Sequence, residues 1–327
     1  MDSRNPLLNC RRSGKLEPNA IPLYNRRAPL SCATSPVIAF EFNRFRFHFR
    51  AAEDLNFPRG ISANALRGAF GAALRESAPR EVYAHIFEPR PAGRPSGGSG
   101  PAPSGLAEWP RPFLFRPAHL DGITAPEHGV FFFDVHIFDL RSPLLPHFER
   151  AFVRLGEKGI GPGRQRAALE RVERLGLDDV PTEGPCRLPL DPDSESIGRV
   201  VLRFATATEL KSEGRLAERP EFAILFGRLR DRLSTLRALY GPGPLAIDFR
   251  GMGERAASIR LCHADLTWER AERRSARTGR VHPLGGFTGE AEYEGALGEF
   301  LPWLRAAHWV GVGRQTVWGK GDVRVIP

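Results

Sequence analysis

Alternating apolar and polar positions mark the start of the folded chain. Residues 35–50 are rich in aromatic and β-branched side chains, which predicts a strand. The apolar face changes near Asn43, and a bulge or register change there would account for the switch. One face carries Phe40, Phe42, Arg44, Arg46, His48 and Arg50, and the other carries Phe45, Phe47 and Phe49.

The next segment changes to helical spacing. Ser62 can cap a helix whose apolar residues Leu66, Phe70 and Leu74 recur every four positions. Gly68 and Gly71 lower the helix propensity of this segment, which fits a helix that packs closely on a sheet or lets RNA approach its backbone.

The same order of elements then occurs twice along the chain. Each half reads strand, helix, two strands, helix, glycine-rich turn and strand, and each turn has the form Gly-aliphatic-Gly followed by Arg-Gln. The repeat predicts an α+β fold of two tandem ferredoxin-like (βαββαβ, RRM-like) domains with a C-terminal glycine-rich loop. A doubly wound nucleotide-binding fold needs strict strand–helix alternation, which the pattern lacks.

Segments rich in proline and glycine suggest where the chain divides. We predict an irregular basic arm over 1–34, an N-terminal domain over 35–180, a linker over 181–195 and a C-terminal domain over 196–327. A Gly/Pro/Ser-rich insertion spans 89–105 within the first domain.

Composition favours an anionic partner. The 327 residues include 47 Lys+Arg and 38 Asp+Glu, for a formal net charge of +9, and all but four of the basic residues are arginine. Guanidinium groups suit phosphate binding and base stacking, although a genomic preference for arginine codons explains the same bias.

Cysteine spacing and hydropathy exclude several classes of protein. The 4 cysteines are widely separated and form no Cys-x-x-Cys pair, so the spacing excludes a zinc ribbon and a thioredoxin-type site. No secretory or membrane-spanning segment is visible. We expect a cytoplasmic protein with reduced thiols and no membrane partner.

The segment 311–321 contains the glycines and cations of a phosphate-binding loop. A Walker A motif needs four residues before Gly-Lys and a hydroxyl residue after it, whereas this segment has five and Gly321. Backbone N–H groups of such a turn can still bind phosphates, with Arg314 and Lys320 adding charge. The alternative is a tight helix-to-strand connection that requires glycine for its backbone conformation.

Sequence segments in both halves resemble one known family. The C-terminal segment 273–321, with HPLGGFTGEAEYEG, FLPWL and WVGVGRQTVWGKG, resembles the CRISPR-associated endoribonuclease that processes precursor crRNA, the sixth Cas protein family of the RAMP superfamily. ALRGAFG at 65–71, YAHIFEP at 83–89 and PRPF at 110–113 resemble the same proteins. Relatives often carry cysteines after the first helix, but residues 75–82 have none, so we expect no metal-supported loop there.

The resemblance implies a mechanism. In this family the ribose 2′-OH attacks the adjacent phosphate without a metal ion or cofactor, and leaves a 2′,3′-cyclic phosphate and a 5′-OH. The reaction needs a base, a proton donor and cations. His48 is our first catalytic candidate, because it precedes the loop into the first helix, where the family's active site usually lies. His85 and His282 come next, and Tyr83 or Lys158 could serve instead.

The resemblance also implies RNA as the ligand. We expect CRISPR repeat RNA or crRNA as the partner, together with other Cas proteins of an effector complex, and a monomer or homodimer. A non-catalytic RAMP subunit that binds crRNA is the alternative, and a generic RNA-binding module is a third hypothesis. Phe45 or Trp318 could stack on a base. The candidate RNA ligands are Arg44, Arg46, Arg67, Arg277, Arg280, Gly311, Gly313, Arg314, Gly319, Lys320 and Gly321, with no metal ligand.

Overall fold

A computed structural model describes most of the chain from residue 38 onward. The predicted basic arm and all but Pro89 of the predicted insertion lie outside the described residues. No helix in the described part of the chain is long and apolar enough to cross a membrane. The described residues are 38–60, 62–89, 109–161, 163–192, 196–269, 272–274, 281–283 and 285–327.

The N-terminal half forms one ferredoxin-like unit. Its elements are β1 (Ala39–Ala51), β2 (Leu55–Asn56), α1 (Ser62–Ser77), α2 (Arg80–Phe87), β3 (Phe113–Arg116), β4 (Thr124–Ala125), β5 (Val130–Ile137), α3 (Leu145–Lys158), β6 (Ala167–Leu175) and β7 (Cys186–Pro189). The main strands pair antiparallel in the order β3-β5-β1-β6, while β7 pairs with the start of β1 and β2 pairs with β4. The helices α1 and α3 contribute to the core that covers one face of this sheet.

The C-terminal half repeats this topology. Its elements are β8 (Arg199–Thr208), β9 (Lys211–Ser212), β10 (Arg215–Leu216), α4 (Phe222–Tyr240), α5 (Phe249–Ala257), β11 (Arg260–Glu269), β12 (Glu272–Arg274), β13 (Val281–Pro283), β14 (Gly286–Glu294), α6 (Leu301–Val310) and β15 (Val323–Ile326). The order β11-β14-β8-β15 places equivalent strands in equivalent positions. The predicted tandem ferredoxin-like fold is therefore confirmed.

The strand β1 supplies aromatic rings to two different cores. Its residues Phe45, Phe47 and Phe49 are buried with α1 and α3 of the N-terminal half. On the opposite face, Phe40 and Phe42 are buried among residues of the C-terminal half. The predicted change of apolar face is confirmed, and it arises because each face of the strand meets a different core.

The pairing of β1 shows that no bulge is needed at Asn43. The strand pairs with β7 through Phe42 and with β5 from Asn43 onward. A register shift does occur in β1, between His48 and Phe49 in its pairing with β6. The predicted irregularity near Asn43 is therefore replaced by a change of neighbouring strand at that point.

Three side chains bind the C-terminal end of α6, and two of them, Arg116 and His136, reach it from the N-terminal half. The last carbonyls of a helix have no partner within the helix and carry partial negative charge. Arg116 of β3 donates to the first of three consecutive carbonyls, and His136 Nδ1 and Arg232 Nε donate to the next two at 2.7 Å each. Burial lowers the pKa of His136 to about 3, so its ring is a neutral donor at pH 7. The accepting carbonyls belong to His308, Trp309 and Val310.

Removing the Phe42 ring tests this junction. Its ring lies 5.0 Å from the His136 ring and 5.7 Å from the Trp309 ring, and the residue is fully buried. We expect Phe42→Ala to lower the free energy of unfolding by about 3–5 kcal/mol in urea titrations. The control Ile123→Ala, at a residue that is 48% exposed, should change it by less than about 0.5 kcal/mol. A loss below about 1 kcal/mol at Phe42 would show that the junction contributes little.

Candidate nucleic-acid interface

The segment between α6 and β15 crosses from the C-terminal half to the start of α1. Its short turn, Thr316–Trp318, places Val317 in the N-terminal core. A Cβ atom added to Gly319 would lie 2.8 Å from the Cβ atom of Ala63 in the first turn of α1. The tip of the segment therefore sits directly on the beginning of this helix.

Sterics require glycine at several positions of this segment. Gly313 has φ +81°, and a Cβ atom there would lie 2.3 Å from the carbonyl oxygen of Glu209. Gly321 has φ +73°, and its Cβ atom would lie 2.1 Å from the carbonyl oxygen of Val312. Both glycines permit a close backbone approach, as the tight-connection alternative predicts.

Backbone hydrogen bonds within the protein use many of the donors that a phosphate would need. RNA contacts remain a prediction for Gly311, Gly313, Gly319 and Gly321. Because many N–H groups of the segment already donate to protein carbonyls, its side chains are the groups left to bind a phosphate. The N–H groups that donate to protein carbonyls are those of Gly311, Val312, Arg314, Trp318, Gly319 and Gly321.

The predicted cations of this region differ in availability. Arg314 forms an ion pair with Glu209. Arg67 is only 8% exposed, and its guanidinium lies between the Phe87 ring and the Trp318 ring at 4.5 and 4.7 Å. Lys320 is half-buried and has no ion-pair partner among the described residues. Lys320 is therefore the cation of this group that is free to meet an anionic ligand.

The basic row on β1 faces carboxylates from neighbouring elements. Arg44 and Arg46 share Asp134 at 2.6 and 2.7 Å, and they share Asp179 at 2.6 and 2.8 Å. Burial alone would raise the pKa of Asp134, but the hydrogen bond from Arg46 and the charge of Arg44 outweigh it and lower the pKa. Arg50 pairs with Glu170 in the same way. Most of the charge on this row is therefore balanced inside the protein.

A partly exposed aromatic ring stands beside this network. Phe132 of β5 lies directly opposite His48 of β1 in the sheet. The Arg46 guanidinium lies 4.4 Å over the Phe132 ring, and the rings of His48 and His119 lie 5.7 and 4.9 Å from it. We call these four residues, Arg46, His48, His119 and Phe132, the Phe132 patch. An accessible aromatic ring can stack on an unpaired base, and the neighbouring arginine can bind the phosphate of that nucleotide.

The two histidines of the patch have different surroundings. His119 is exposed, and its Nε2 atom lies 2.9 Å from the carbonyl oxygen of Phe132. Because a carbonyl only accepts, Nε2 carries the proton and Nδ1 is left as an acceptor. The His48 side chain is 10% exposed, and its Nε2 atom lies 2.5 Å from Glu173 Oε2, which orients the ring.

The turn that carries His119 connects the patch to the start of α1. Ser62 Oγ donates to the carbonyl oxygen of Pro117 at 3.2 Å, and Ser62 N donates to Asp121 Oδ1 at 3.0 Å. A Cβ atom on Gly319 would also lie 3.7 Å from Pro117. The Phe132 patch, the first turn of α1 and the tip of segment 311–321 are therefore joined through one short turn. Sequence reasoning did not select His119.

Other predicted site residues lie elsewhere. His85 of α2 pairs with Asp139 at 2.6 Å. Tyr83 accepts a hydrogen bond from Arg75 at 2.9 Å, and Lys158 pairs with Glu76. The backbone of His282 lies in β13 but its side chain is not described, and Arg277 and Arg280 lie outside the described residues. Within the described ranges, no group of three or more His, Cys, Asp or Glu side chains is placed to hold a metal ion.

Two sequence families match the two halves of the chain. Residues 40–184 match AF_1859_N, which is described as an N-terminal domain. Residues 202–323 match the CRISPR-associated endoribonuclease Cas6. The second match confirms the resemblance noted in the sequence. A search of curated proteins finds no match.

Solved structures share the tandem fold. A Cas6 (TTHB231) product complex is 19% identical with a TM-score of 0.54, and the similarity covers 88% of this chain and 99% of that one. A second structure, Thermus thermophilus Cas6 (TTHB231), is also 19% identical, with a TM-score of 0.52 and the same coverage. A chain of a partial Cas6-RT-Cas1–Cas2 complex is 15% identical with a TM-score of 0.53, covering 89% of this chain and 46% of that one.

A pair of glycine substitutions tests the role of segment 311–321. We expect Gly321→Ala to lower the free energy of unfolding by more than about 1 kcal/mol, because a side chain is strained at positive φ and would collide with Val312. Gly68→Ala in α1 meets no atom within 4 Å and should raise stability by about 0.5–1 kcal/mol. Thermal and urea unfolding measure both. Equal effects of the two variants would contradict the steric account.

Asp322 makes stability depend on pH. It is 2% exposed and accepts from His308 Nδ1 at 2.7 Å. Burial alone would raise its pKa, but the charge of Arg116 and the His308 hydrogen bond outweigh it and lower the pKa. A carboxyl whose pKa is lower in the folded state stabilises the fold above its unfolded pKa of about 3.9, and this contribution is lost as pH falls through the folded pKa.

We therefore expect Asp322→Asn to lower stability at pH 7 and to make the fall in stability below about pH 4 shallower. Urea midpoints at several pH values measure this slope. The exposed Glu127→Gln controls for the loss of one negative charge. An Asp322→Asn curve parallel to that of the unmodified protein would contradict the assignment.

Proposed function

We propose that this chain is a Cas6-type protein of the RAMP superfamily, and that it binds CRISPR repeat RNA and cleaves precursor crRNA as a metal-independent endoribonuclease. The observation that carries this proposal is the Cas6 endoribonuclease match over residues 202–323. That region includes the segment whose tip sits on the first turn of α1. The Cas6 product complex among the similar structures supports as ligand the RNA that the family resemblance implies.

The comparisons also support proposals about partners, location and domain roles. A similar chain belongs to a Cas6-RT-Cas1–Cas2 complex, which supports other Cas proteins as partners. We expect the protein in the cytoplasm, where precursor RNA is made. We also propose that residues 35–180 and 196–327 act as two RNA-binding domains joined by residues 181–195, and the family matches over 40–184 and 202–323 support that division.

The Phe132 patch supplies the groups that the reaction needs. A base stacked on Phe132 brings its ribose and phosphate near the rings of both His48 and His119. His119 Nδ1 accepts the 2′-OH proton, and the 2′ oxygen forms a bond to phosphorus. The bond from phosphorus to the 5′ oxygen breaks, and His48 acts as the general acid that gives a proton to that oxygen. The products are a 2′,3′-cyclic phosphate and a 5′-OH.

Cations near the patch stabilise the developing negative charge on the phosphate. Arg46 is the patch arginine, with 20% of its side chain exposed, and Asp134 and Asp179 hold its guanidinium in position. Lys320 of segment 311–321 is proposed as a second cation for the phosphate. Preorganised charges of this kind stabilise a phosphorane without reorganising during the reaction. His85 and His282 are the alternative catalytic candidates, and Arg277 and Arg280 remain proposed RNA ligands.

Single-turnover cleavage of repeat RNA in EDTA tests this assignment. We expect His119→Ala and His48→Ala each to lower the rate at least about 100-fold, because each removes a proton-transfer group. RNA affinity should change by less than about threefold. His263→Ala, which removes an exposed histidine of β11, should cleave at the unmodified rate.

Two outcomes would contradict the assignment. Full cleavage by both patch variants together with loss in His85→Ala would move the catalytic centre to α2. Tight, salt-sensitive RNA binding by the unmodified protein without any cleavage would support the non-catalytic RAMP subunit instead.

A further inference from the structure

A pocket lies where α2 meets the C-terminal end of α4. Its volume is about 690 Å³, which suits a ligand of nucleotide size. Tyr83, His85 and Trp109 of the N-terminal half line it together with Leu239 and Tyr240 of α4. No residue of the Phe132 patch lines this pocket. The cavity is therefore separate from the proposed catalytic centre, and it is built from both halves.

The His85 ring is held in one orientation at this pocket. Asp139 is 2% exposed, and its Oδ2 atom lies 2.6 Å from His85 Nε2. Its Oδ1 atom accepts the backbone N–H groups of Arg141 and Ser142 at 2.8 and 3.1 Å. Burial alone would raise the pKa of Asp139, but these hydrogen bonds outweigh it and lower the pKa. The anionic carboxylate therefore accepts a hydrogen bond from the Nε2–H group, and His85 Nδ1 is left as an acceptor.

The pocket also offers a buried donor and an exposed cation. Trp109 Nε1 is buried and has no hydrogen-bond partner among the described residues. A buried donor without a partner is costly, so an acceptor on a ligand would relieve a real penalty. Arg80 is exposed and has no ion-pair partner in the described part of the chain. Glu88 is the acidic residue of this wall.

A ladder of rings and guanidiniums connects the pocket to segment 311–321. Arg75 lies 4.9 Å over the Tyr83 ring, and Tyr83 stacks on Phe87 at 5.5 Å with an interplanar angle of 14°. Arg67 then lies between Phe87 and Trp318 at 4.5 and 4.7 Å. The middle of this ladder is buried, since Arg67 and Phe87 are 8% and 5% exposed, so it couples the pocket wall to the segment through packing inside the protein.

We propose that this pocket binds one unpaired nucleotide of the same RNA, outside the scissile site. The proposal rests on the proposed function for the identity of the RNA. The base packs against an edge of the Tyr83 ring, whose faces already meet Arg75 and Phe87. It accepts a hydrogen bond from Trp109 Nε1 while it donates one to His85 Nδ1. Every nucleobase has a neighbouring acceptor and donor on an edge, so the contacts select an unpaired base rather than one sequence. The phosphate of the nucleotide lies against Arg80.

Equilibrium binding of the cognate repeat RNA tests the pocket. We expect the double variant Trp109→Phe with Arg80→Gln to raise the Kd about tenfold, because it removes one donor and one phosphate ligand. Its cleavage rate at saturating RNA should stay within about twofold. Arg250→Gln, at a side chain that is 91% exposed and distant in sequence from the pocket, controls for the lost charge. Urea unfolding checks that each variant is folded.

A second measurement locates the nucleotide. Repeat RNA carrying 4-thiouridine at single positions should crosslink to Tyr83 or Trp109 from one unpaired position, and the crosslink should weaken in the double variant. Unchanged Kd in the double variant, or no crosslink at either residue, would overturn the pocket. If the unmodified protein binds RNA through the pocket but does not cleave it, the pocket stands and the nuclease proposal fails.

Discussion

The end of one helix holds the two halves of this protein together. Arg116, His136 and Arg232 come from β3, β5 and α4, and they donate to three consecutive carbonyls at the end of α6. Burial lowers the pKa of Arg232 to about 9, so its guanidinium stays charged at pH 7 and complements the negative end of the helix dipole. Segment 311–321 leaves from this same helix end. The position of its tip on α1 therefore depends on these three donors.

Charge balance decides which surface is free for RNA. The net charge of +9 suggests a broadly basic protein, yet the arginines of β1 are paired with carboxylates of neighbouring strands and loops. Such pairs orient guanidiniums and remove much of their attraction for a distant phosphate. The groups that remain available to RNA are confined to three places, which are the Phe132 patch, Lys320, and Arg80 at the pocket between α2 and α4. Specific placement, more than total charge, determines the proposed RNA path.

The repeated order of elements predicted the tandem fold, and the resemblance of segments in both halves to one family implied the same fold. The site was harder to predict. No residue close to His119 in the sequence indicates a catalytic role. Phe132 and the start of α1 come close to it only in the folded protein. Arg44 and Arg46 look like free cations in sequence because their partner Asp134 is about ninety residues away. The pocket at His85 requires walls from both halves, which local pattern does not reveal.

The proposed reaction uses the 2′-OH of the RNA itself to cleave the adjacent phosphodiester bond. The most direct measurement is product analysis of repeat RNA incubated with the protein in EDTA, beside the same RNA with one 2′-deoxy nucleotide at the cut position. The account predicts a 2′,3′-cyclic phosphate and a 5′-OH from the unmodified RNA, and no cleavage at the substituted position. A 5′-phosphate product, a requirement for divalent metal, or cleavage at the 2′-deoxy position would contradict it.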